Sequence, residues 1–232
     1  GLGEVGKNMT LYELGDERLL IDAGLAFPRD EHLGVDLVLP DFSYLEDKPL
    51  RAIVLTHGHE DHVGALPYVL REIEVKEVIA TRLTLGMIKS KLDEHGLGAS
   101  TRLREAQPEG EGIELGPFRL EFVRMAHSIP DCMAILLETS AGRVLHTGDW
   151  KLDHTPVDGL KTDVGRLAEI GNRGVDLMLA DSTNAERPGM TGSERLVGEA
   201  FRQIFPTRSG RILVASFASN IHRMQQAAEV AI

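Results

Sequence analysis

The 232-residue sequence is short of cysteine, of basic charge and of long apolar runs. Cys132 is its one cysteine, so no disulfide can form within the chain, and a cytoplasmic location is the expectation. No apolar stretch approaches the length that crosses a bilayer, and no segment reads as a signal peptide. Lys and Arg total 25 against 36 Asp and Glu, a formal net charge of −11. That balance argues against a simple sleeve for nucleic acid, which would be basic. It leaves room for an enzyme acting on nucleic acid, because bound divalent cations and a local basic patch can supply the field where it matters. Internal repeats and low-complexity segments are missing too. What is present is ordinary for a globular protein: 42% hydrophobic and 26% charged residues, enough for one large domain or one domain plus part of another. The first residue is Gly1, so the native start is expected to be missing or processed.

One stretch organises the rest. Residues 52–56 form a short apolar, β-branched run that reads as a buried strand. It stops in His57, His59, Asp61 and His62, four potential metal ligands within six residues. Gly58 is expected to let the backbone turn sharply between the first two histidines. Side chains two apart in an extended segment point the same way, so His57 and His59 can converge on one point. Asp61 and His62 open the next element and can face a second point nearby. Imidazole with carboxylate, and no thiolate, suits zinc, manganese or iron at a site open to water.

A second motif fails on context. Gly1-Leu2-Gly3-Glu4-Val5-Gly6 spells the dinucleotide fingerprint, but that motif needs a strand before it and a helix after it. Here a hairpin follows, over 9–14 and 18–21 with its turn at Gly15-Asp16, so a glycine loop bordering some other site is the better reading. The long connection over 25–49 is of the kind that often carries function. Beyond the ligand cluster the pattern predicts helices over 64–73 and 82–95, with strands at 75–80 and 118–125. The acidic stretch 105–112 reads as a solvated loop. A hairpin follows over 133–139 and 143–147. Thr162 is expected to cap a helix over 163–170 that Gly171 ends, and 176–180 reads as a strand. Thr191 and Glu194 have the spacing of a capping box, and Pro206 closes the helix they open. A last strand over 212–216 and a helix capped by Ser219 complete the pattern. Such an order suggests stacked sheets with helices on their outer faces.

Acids and histidines recur where these strands end: Asp22, the 57–62 cluster, His127, Asp149 and Asp181. Two ions about 3.5–4 Å apart need several protein ligands and can activate a water between them. The assignment gives His57, His59 and His127 to one ion, Asp61 and His62 to the other, and lets the Asp149 carboxylate bridge both. Asp22 orients a histidine of the loop, and His146 is a satisfied core histidine or a support for a ligand. Cys132 reads as a small buried hydrophobe, and His32, His95, His154 and His222 as surface residues.

These residues carry a resemblance. Thr56-His57-Gly58-His59-Glu60-Asp61-His62, His127 and Thr147-Gly148-Asp149 resemble the metallo-β-lactamase superfamily. Three further segments narrow it: 127–131 (HSIPD), 181–186 (DSTNAE) and 216–220 (SFASN). With them the chain resembles the bacterial ribonuclease J family of β-CASP ribonucleases along essentially its whole length. The resemblance implies an αββα sandwich of α/β (α+β) class, incomplete here, over 1–209, with 210–232 opening a β-CASP domain. It implies two divalent ions, zinc or in some members manganese, and hydrolysis of RNA phosphodiesters. Cutting would run 5′-to-3′ from a 5′-monophosphate end and also internally, in RNA maturation and decay, by a homo-oligomer with RNA-degradation partners. Asp61 and Asp149 would serve catalysis, and Asp181 matches an acid that positions a catalytic histidine. Ser216 and Ser219 fall where nucleotide backbone is contacted. In the family a returning segment brings one more histidine to the second ion. It has no counterpart here, so the second site is expected to be weaker or completed from elsewhere. The other readings are a small-molecule hydrolase of an ester, thioester or lactam, which would lack the Ser-Phe-Ala-Ser-Asn segment, a di-iron protein, which would carry Glu in place of His59, and a non-catalytic module.

Overall fold

The structure, a computed structural model, describes all 232 residues as two five-stranded sheets with helices outside them. The first sheet takes β1 (Thr10–Leu14), β2 (Glu17–Ile21), β3 (Ala52–Val54), β4 (Val78–Ala80) and β5 (Leu103–Glu105) in sequence order. β1 and β2 form the expected antiparallel hairpin, and β2 to β5 run parallel. The second sheet is ordered β10-β9-β8-β7-β6, from Leu177–Leu179, Gly142–His146, Cys132–Thr139, Phe118–Met125 and Ile113–Leu115. It is antiparallel except that β10 runs parallel to β9. The helices are α1 (Glu60–Val63), α2 (Leu66–Glu72), α3 (Arg82–Glu94), α4 (Val164–Arg173), α5 (Arg195–Ile204) and α6 (Ile221–Ala231).

Strand alternation explains why the layers stack. Leu19, Ile21, Ala52, Val54 and Ile79 face the second sheet and meet Phe118, Leu120, Phe122, Met133 and Ile135. Leu20, Ile53, Leu55, Val78 and Ala80 face the other way, onto Leu66 and Val69 of α2 and Ile88 and Leu92 of α3. Val123, Ala134, Leu136 and Leu145 turn outward to Ile170 and Leu167 of α4. A strand with both faces covered reads as an unbroken apolar run, which is why 52–56 shows no alternation in the sequence. At roughly 25 cal/mol per Å² of apolar surface, these three clusters are the main cohesive term of the fold.

The topology also places the chemistry. β2, β3 and β4 are parallel, so their C-terminal ends lie along one edge, where Asp22 follows β2 directly and His57 comes three residues after β3. β9 and β10, parallel in the second sheet, end at His146 and Leu179 in register.

Several local expectations change. The loop expected over 105–112 stands but for Glu105, and β5 and β6, which flank it, are additions, because three-residue edge strands give little periodicity. Asp163, not Thr162, caps α4 by accepting from the Arg166 N–H, and the helix runs past Gly171 to Arg173. Thr162 instead accepts from Ala126 N–H and donates to the Lys151 carbonyl, tying two loops together. The Thr191–Glu194 capping box does not form; Glu194 precedes α5 without a side-chain cap, and Ser193 Oγ takes the Arg195 N–H. Asn220 rather than Ser219 caps α6. Residues 212–216 are not a strand, for no neighbour pairs with them. His222 is buried and faces Asp158 at 3.7 Å, not solvent.

Candidate metal centre

The 57–62 loop is held by backbone before any side chain acts. Its carbonyls accept from Asn8 N–H (to Asp61, 3.0 Å), Ala23 N–H (to His62, 2.8 Å) and Leu25 N–H (to Glu60, 3.1 Å). Gly24 lies so close beneath that a Cβ there would stand 1.6 Å from the Asp61 carbonyl oxygen. Gly58 matters for the same kind of reason and not for the expected sharp turn: its φ is not left-handed, and a Cβ would meet Met87 Sδ at 2.7 Å. Asp22 is itself left-handed, φ 62°, a conformation costly for a non-glycine residue and frequent at functional sites. It uses that conformation to accept from Thr56 N–H at 2.7 Å and to meet His62 Nδ1 at 2.8 Å.

Two ligand groups result, and they share one carboxylate. His57, His59, His127 and Asp149 form the first; Asp61, His62 and Asp149 form the second, with one donor atom from each residue within 4.8 Å of the others. His57 Nε2 and His127 Nε2 lie 3.0 and 3.2 Å from His59 Nδ1, and Asp149 Oδ2 is 3.5 Å from His127 Nε2 and 4.0 Å from His57 Nε2. A tetrahedral ion with bonds of ~2.1 Å separates its ligands by about 3.4 Å, so the spacing fits a divalent cation. On the other side His62 Nε2 is 3.3 Å from Asp149 Oδ1 and 3.7 Å from Asp61 Oδ2. His59 Nδ1 has one proton or one lone pair to share between two facing ring nitrogens, a conflict that a cation among the three removes.

The electrostatics agree. Burial lowers the pKa of His57 well below its ordinary value, and burial with the neighbouring His62 brings His59 to about 4. Burial also brings His127 to about 4 despite the nearby Asp149. All three are therefore neutral, with lone pairs free to ligate. Burial opposes charge on His62, but the carboxylates of Asp22 and Asp149 outweigh it and raise its pKa to about 10. Asp61 is raised, first by burial. A divalent cation beside Asp61, His62 and Asp149 would take the place of the His62 Nε2 proton and leave the Nδ1 proton with Asp22.

The second group opens into a cleft of ≈ 820 Å³ walled by the glycine loop 1–6 and by residues 179–187. The glycine segment borders this site, as expected from its failure as a dinucleotide motif. Asp181 lines the cleft, but its carboxylate accepts from Thr183 N–H at 2.7 Å and belongs to neither ligand group. His146 also lines it; its Nδ1 meets Tyr12 OH at 3.1 Å, so it supports no ligand directly. Ser216 and Ser219 lie outside the cleft. Cys132 is buried and donates its thiol to the Asp149 carbonyl at 3.2 Å, a structural role.

Three participants escape the sequence reading. Asn8 Nδ2 lies 3.1 Å from His62 Nε2 and donates to the Asp61 carbonyl at 3.1 Å. Thr56 touches Asp22 and His57 together, and its position between an apolar strand and the first ligand is the signal that would have found it. Arg187 is the one Lys or Arg in the cleft wall; nothing local in the sequence marks it.

The sequence profile of the metallo-β-lactamase superfamily matches residues 2–171. This chain belongs to the metallo-β-lactamase superfamily. Within that superfamily it is 45% identical to Ribonuclease J of Helicobacter pylori over 100% of its own length and 34% of that protein. It is 44% identical to Ribonuclease J of Corynebacterium glutamicum, again over 100% of this chain and 32% of the relative. The chain therefore spans about a third of the length of the curated relatives it matches. A crystal structure of a protein of unknown function from Enterococcus faecalis superposes with a TM-score of 0.70 at 16% identity, over 97% of this chain and 60% of that one, a likeness of fold alone.

Proposed function

We propose that the chain carries the metal-dependent hydrolytic centre of a ribonuclease that cleaves RNA phosphodiester bonds. The observation that carries the reading is the shared carboxylate: Asp149 belongs to both ligand groups at the wall of the cleft. Identity of 45% to Ribonuclease J across the whole chain supports RNA as the substrate. In this reading His57, His59 and His127 hold one divalent ion, Asp61 and His62 the other, and Asp149 both. Zinc suits a set of imidazoles and carboxylates, with manganese the alternative. Divalent ions at these residues would supply Lewis acidity at phosphorus and bring the pKa of a water toward neutrality.

The chain's own residues do the rest. The cleft wall holds Glu4, Asp22, Asp61, Asp149, Asp181 and Glu186 against Arg187, so it repels a polyanion until divalent cations are bound. Neutral His57, His59 and His127 present lone pairs rather than protons. Asp181 holds the Thr183 N–H and so shapes the 181–187 wall along which a strand of RNA would lie. In the complete enzyme Asp181 would position a proton donor, and Ser216 and Ser219 would contact nucleotide backbone. Residues 1–209 would form the metallo-β-lactamase domain and 210–232 the opening of a β-CASP domain. We further propose 5′-to-3′ cutting from a 5′-monophosphate, internal cutting, cytoplasmic action in rRNA maturation and mRNA decay, and a homo-oligomeric whole protein.

The test offers the metal-loaded protein a 5′-monophosphorylated RNA, its 5′-triphosphorylated form, a thioester and a β-lactam, with His59→Ala beside it. Loss of RNA only with the unsubstituted protein, fastest from the monophosphate, is expected. Turnover of the thioester or lactam with RNA left intact would overturn the reading.

A further inference from the structure

Thr56 is fully buried where β3 ends, and its hydroxyl has more neighbours than it has protons. Oγ1 lies 2.9 Å from Asp22 Oδ2, 3.1 Å from Asp22 Oδ1, 3.0 Å from His57 Nδ1 and 3.3 Å from His62 Nδ1. A hydroxyl has one proton to give and lone pairs with which to accept, whereas a carboxylate only accepts. The single Thr56 proton therefore goes to Asp22. Toward His57 the hydroxyl can then only accept, so His57 carries its proton on Nδ1 and leaves Nε2 bare. That bare nitrogen is the one directed at His59 and Asp149. Asp22 Oδ2 also takes the Nδ1 proton of His62, which leaves His62 Nε2 directed at Asp149 and Asp61.

We infer that Thr56 is a positioning residue through which one carboxylate, Asp22, sets the tautomer of a histidine in each ligand group, directly for His62 and through the Thr56 hydroxyl for His57. The two groups are then joined twice, by Asp149 on the open side and by the Asp22–Thr56 pair on the buried side. The backbone fixes the pair in place. Thr56 N–H donates to Asp22, and the Thr56 carbonyl accepts from Met133 N–H of the opposite sheet at 3.1 Å. Gly148, next to the bridging Asp149, packs so closely on the Thr56 side chain that a Cβ would come within 2.9 Å of Thr56 Cβ. A threonine, small and branched with one hydroxyl, fills this space and serves both acceptor and donor.

The inference rests on the divalent-metal reading above, and its test separates the two. Metal content and affinity are measured by chelator competition with Zn²⁺ on the unsubstituted protein, Thr56→Val and Thr56→Ser, with thermal melts to follow folding. Valine keeps the shape and loses the hydroxyl. Thr56→Val should hold the His57-side ion about 10–100-fold more weakly, the range for losing an outer hydrogen-bond partner of a ligand. The Asp61-side ion should be held nearly as before, and Thr56→Ser, which keeps the hydroxyl, should restore the His57-side affinity. Equal affinity of the unsubstituted protein and Thr56→Val at both sites would overturn the relay while leaving the metal centre intact. No Zn²⁺ bound to the unsubstituted protein would overturn both. A second measurement needs no variant: ¹⁵N-resolved NMR of the Zn²⁺-loaded protein should show the His57 proton on Nδ1, and a proton on Nε2 would overturn the relay.

Discussion

The sandwich up to β10 and the segment after it are built on different terms. In the sandwich, strand residues such as Leu19, Ile53 and Ile135 are wholly buried, and every residue of both ligand groups lies before residue 150. After residue 180 only Gly198, Asn220, His222 and Gln226 are buried, while Leu213 is 87% and Phe217 77% exposed. The later segment is joined to the sandwich by polar contacts: Ser193 to the Thr155 carbonyl, Glu194 N–H to Asp153, His222 to Asp158. Hydrophobic burial sets rigid geometry, and hydrogen bonds at the surface contribute modestly. Both candidate ligand groups are thus built on the sandwich, and the later segment can change without moving their residues.

That contrast can be broken by substitution. The largest effect is expected for His59→Ala, which removes a donor from the four-residue group. The ion on the His57 side should be lost by more than the roughly 10–100-fold that an outer partner costs, with RNA hydrolysis lost too. Chelator competition reads the first and gel analysis of RNA the second; retention of both would break the contrast. Next is Gly24→Ala. The new Cβ meets the Asp61 carbonyl, which is backbone and cannot swing away. A loss of about 1–3 kcal/mol in thermal or urea unfolding is expected, with weaker metal on the Asp61 side.

A middle effect belongs to Glu121, which is buried and receives Arg173 at 2.8 and 2.9 Å and Arg166 at 2.6 Å. The hydrogen bond from Arg173, against the opposing effect of burial, holds its pKa below the ordinary carboxylate range. A carboxylate depressed on folding contributes stability above its unfolded pKa, and that contribution is lost as pH falls through the folded pKa. Glu121→Gln should therefore cost about 1.5–3 kcal/mol at neutral pH, with the gap to the unsubstituted protein closing in acid. Urea unfolding across pH 7 to 3 checks the sign. The smallest effects are expected for Ser216→Ala and Phe217→Ser, both on exposed residues. Stability should move within about 0.5 kcal/mol and metal content not at all. A large loss of metal in either would show that the later segment does hold the centre.

Legibility in the sequence follows the same division. Apolar runs announced β2, β3 and β8, and alternation announced β7; all four stand within a few residues of expectation. The grouping of the candidate ligands was legible because the 57–62 cluster, His127 and Asp149 come within a few residues of the ends of β3, β7 and β9, and Asp22 meets a histidine of the loop, His62, at 2.8 Å. The failures come where local signals compete. Thr162, Thr191 and Ser219 all look like caps, yet the neighbours Asp163, Glu194 and Asn220 stand at the helix starts. A cap is chosen by backbone angle, which tertiary contacts set and residue type does not. Residues 212–216 have strand composition but no partner strand beside them, and composition without a partner does not make a sheet. Asn8 was invisible as a contributor because its role depends on a histidine brought close only by the fold, whereas Thr56 had a local signal in its place before the first ligand.

On the divalent-metal reading one carboxylate, Asp149, joins two metal positions. Crystals of the Zn²⁺-loaded protein, measured at the zinc absorption edge, test it most directly. Two anomalous peaks about 3.5–4 Å apart are expected, one among His57, His59 and His127, one beside Asp61 and His62, with Asp149 between them. Peaks elsewhere, or an Asp149 carboxylate that touches neither, would contradict it.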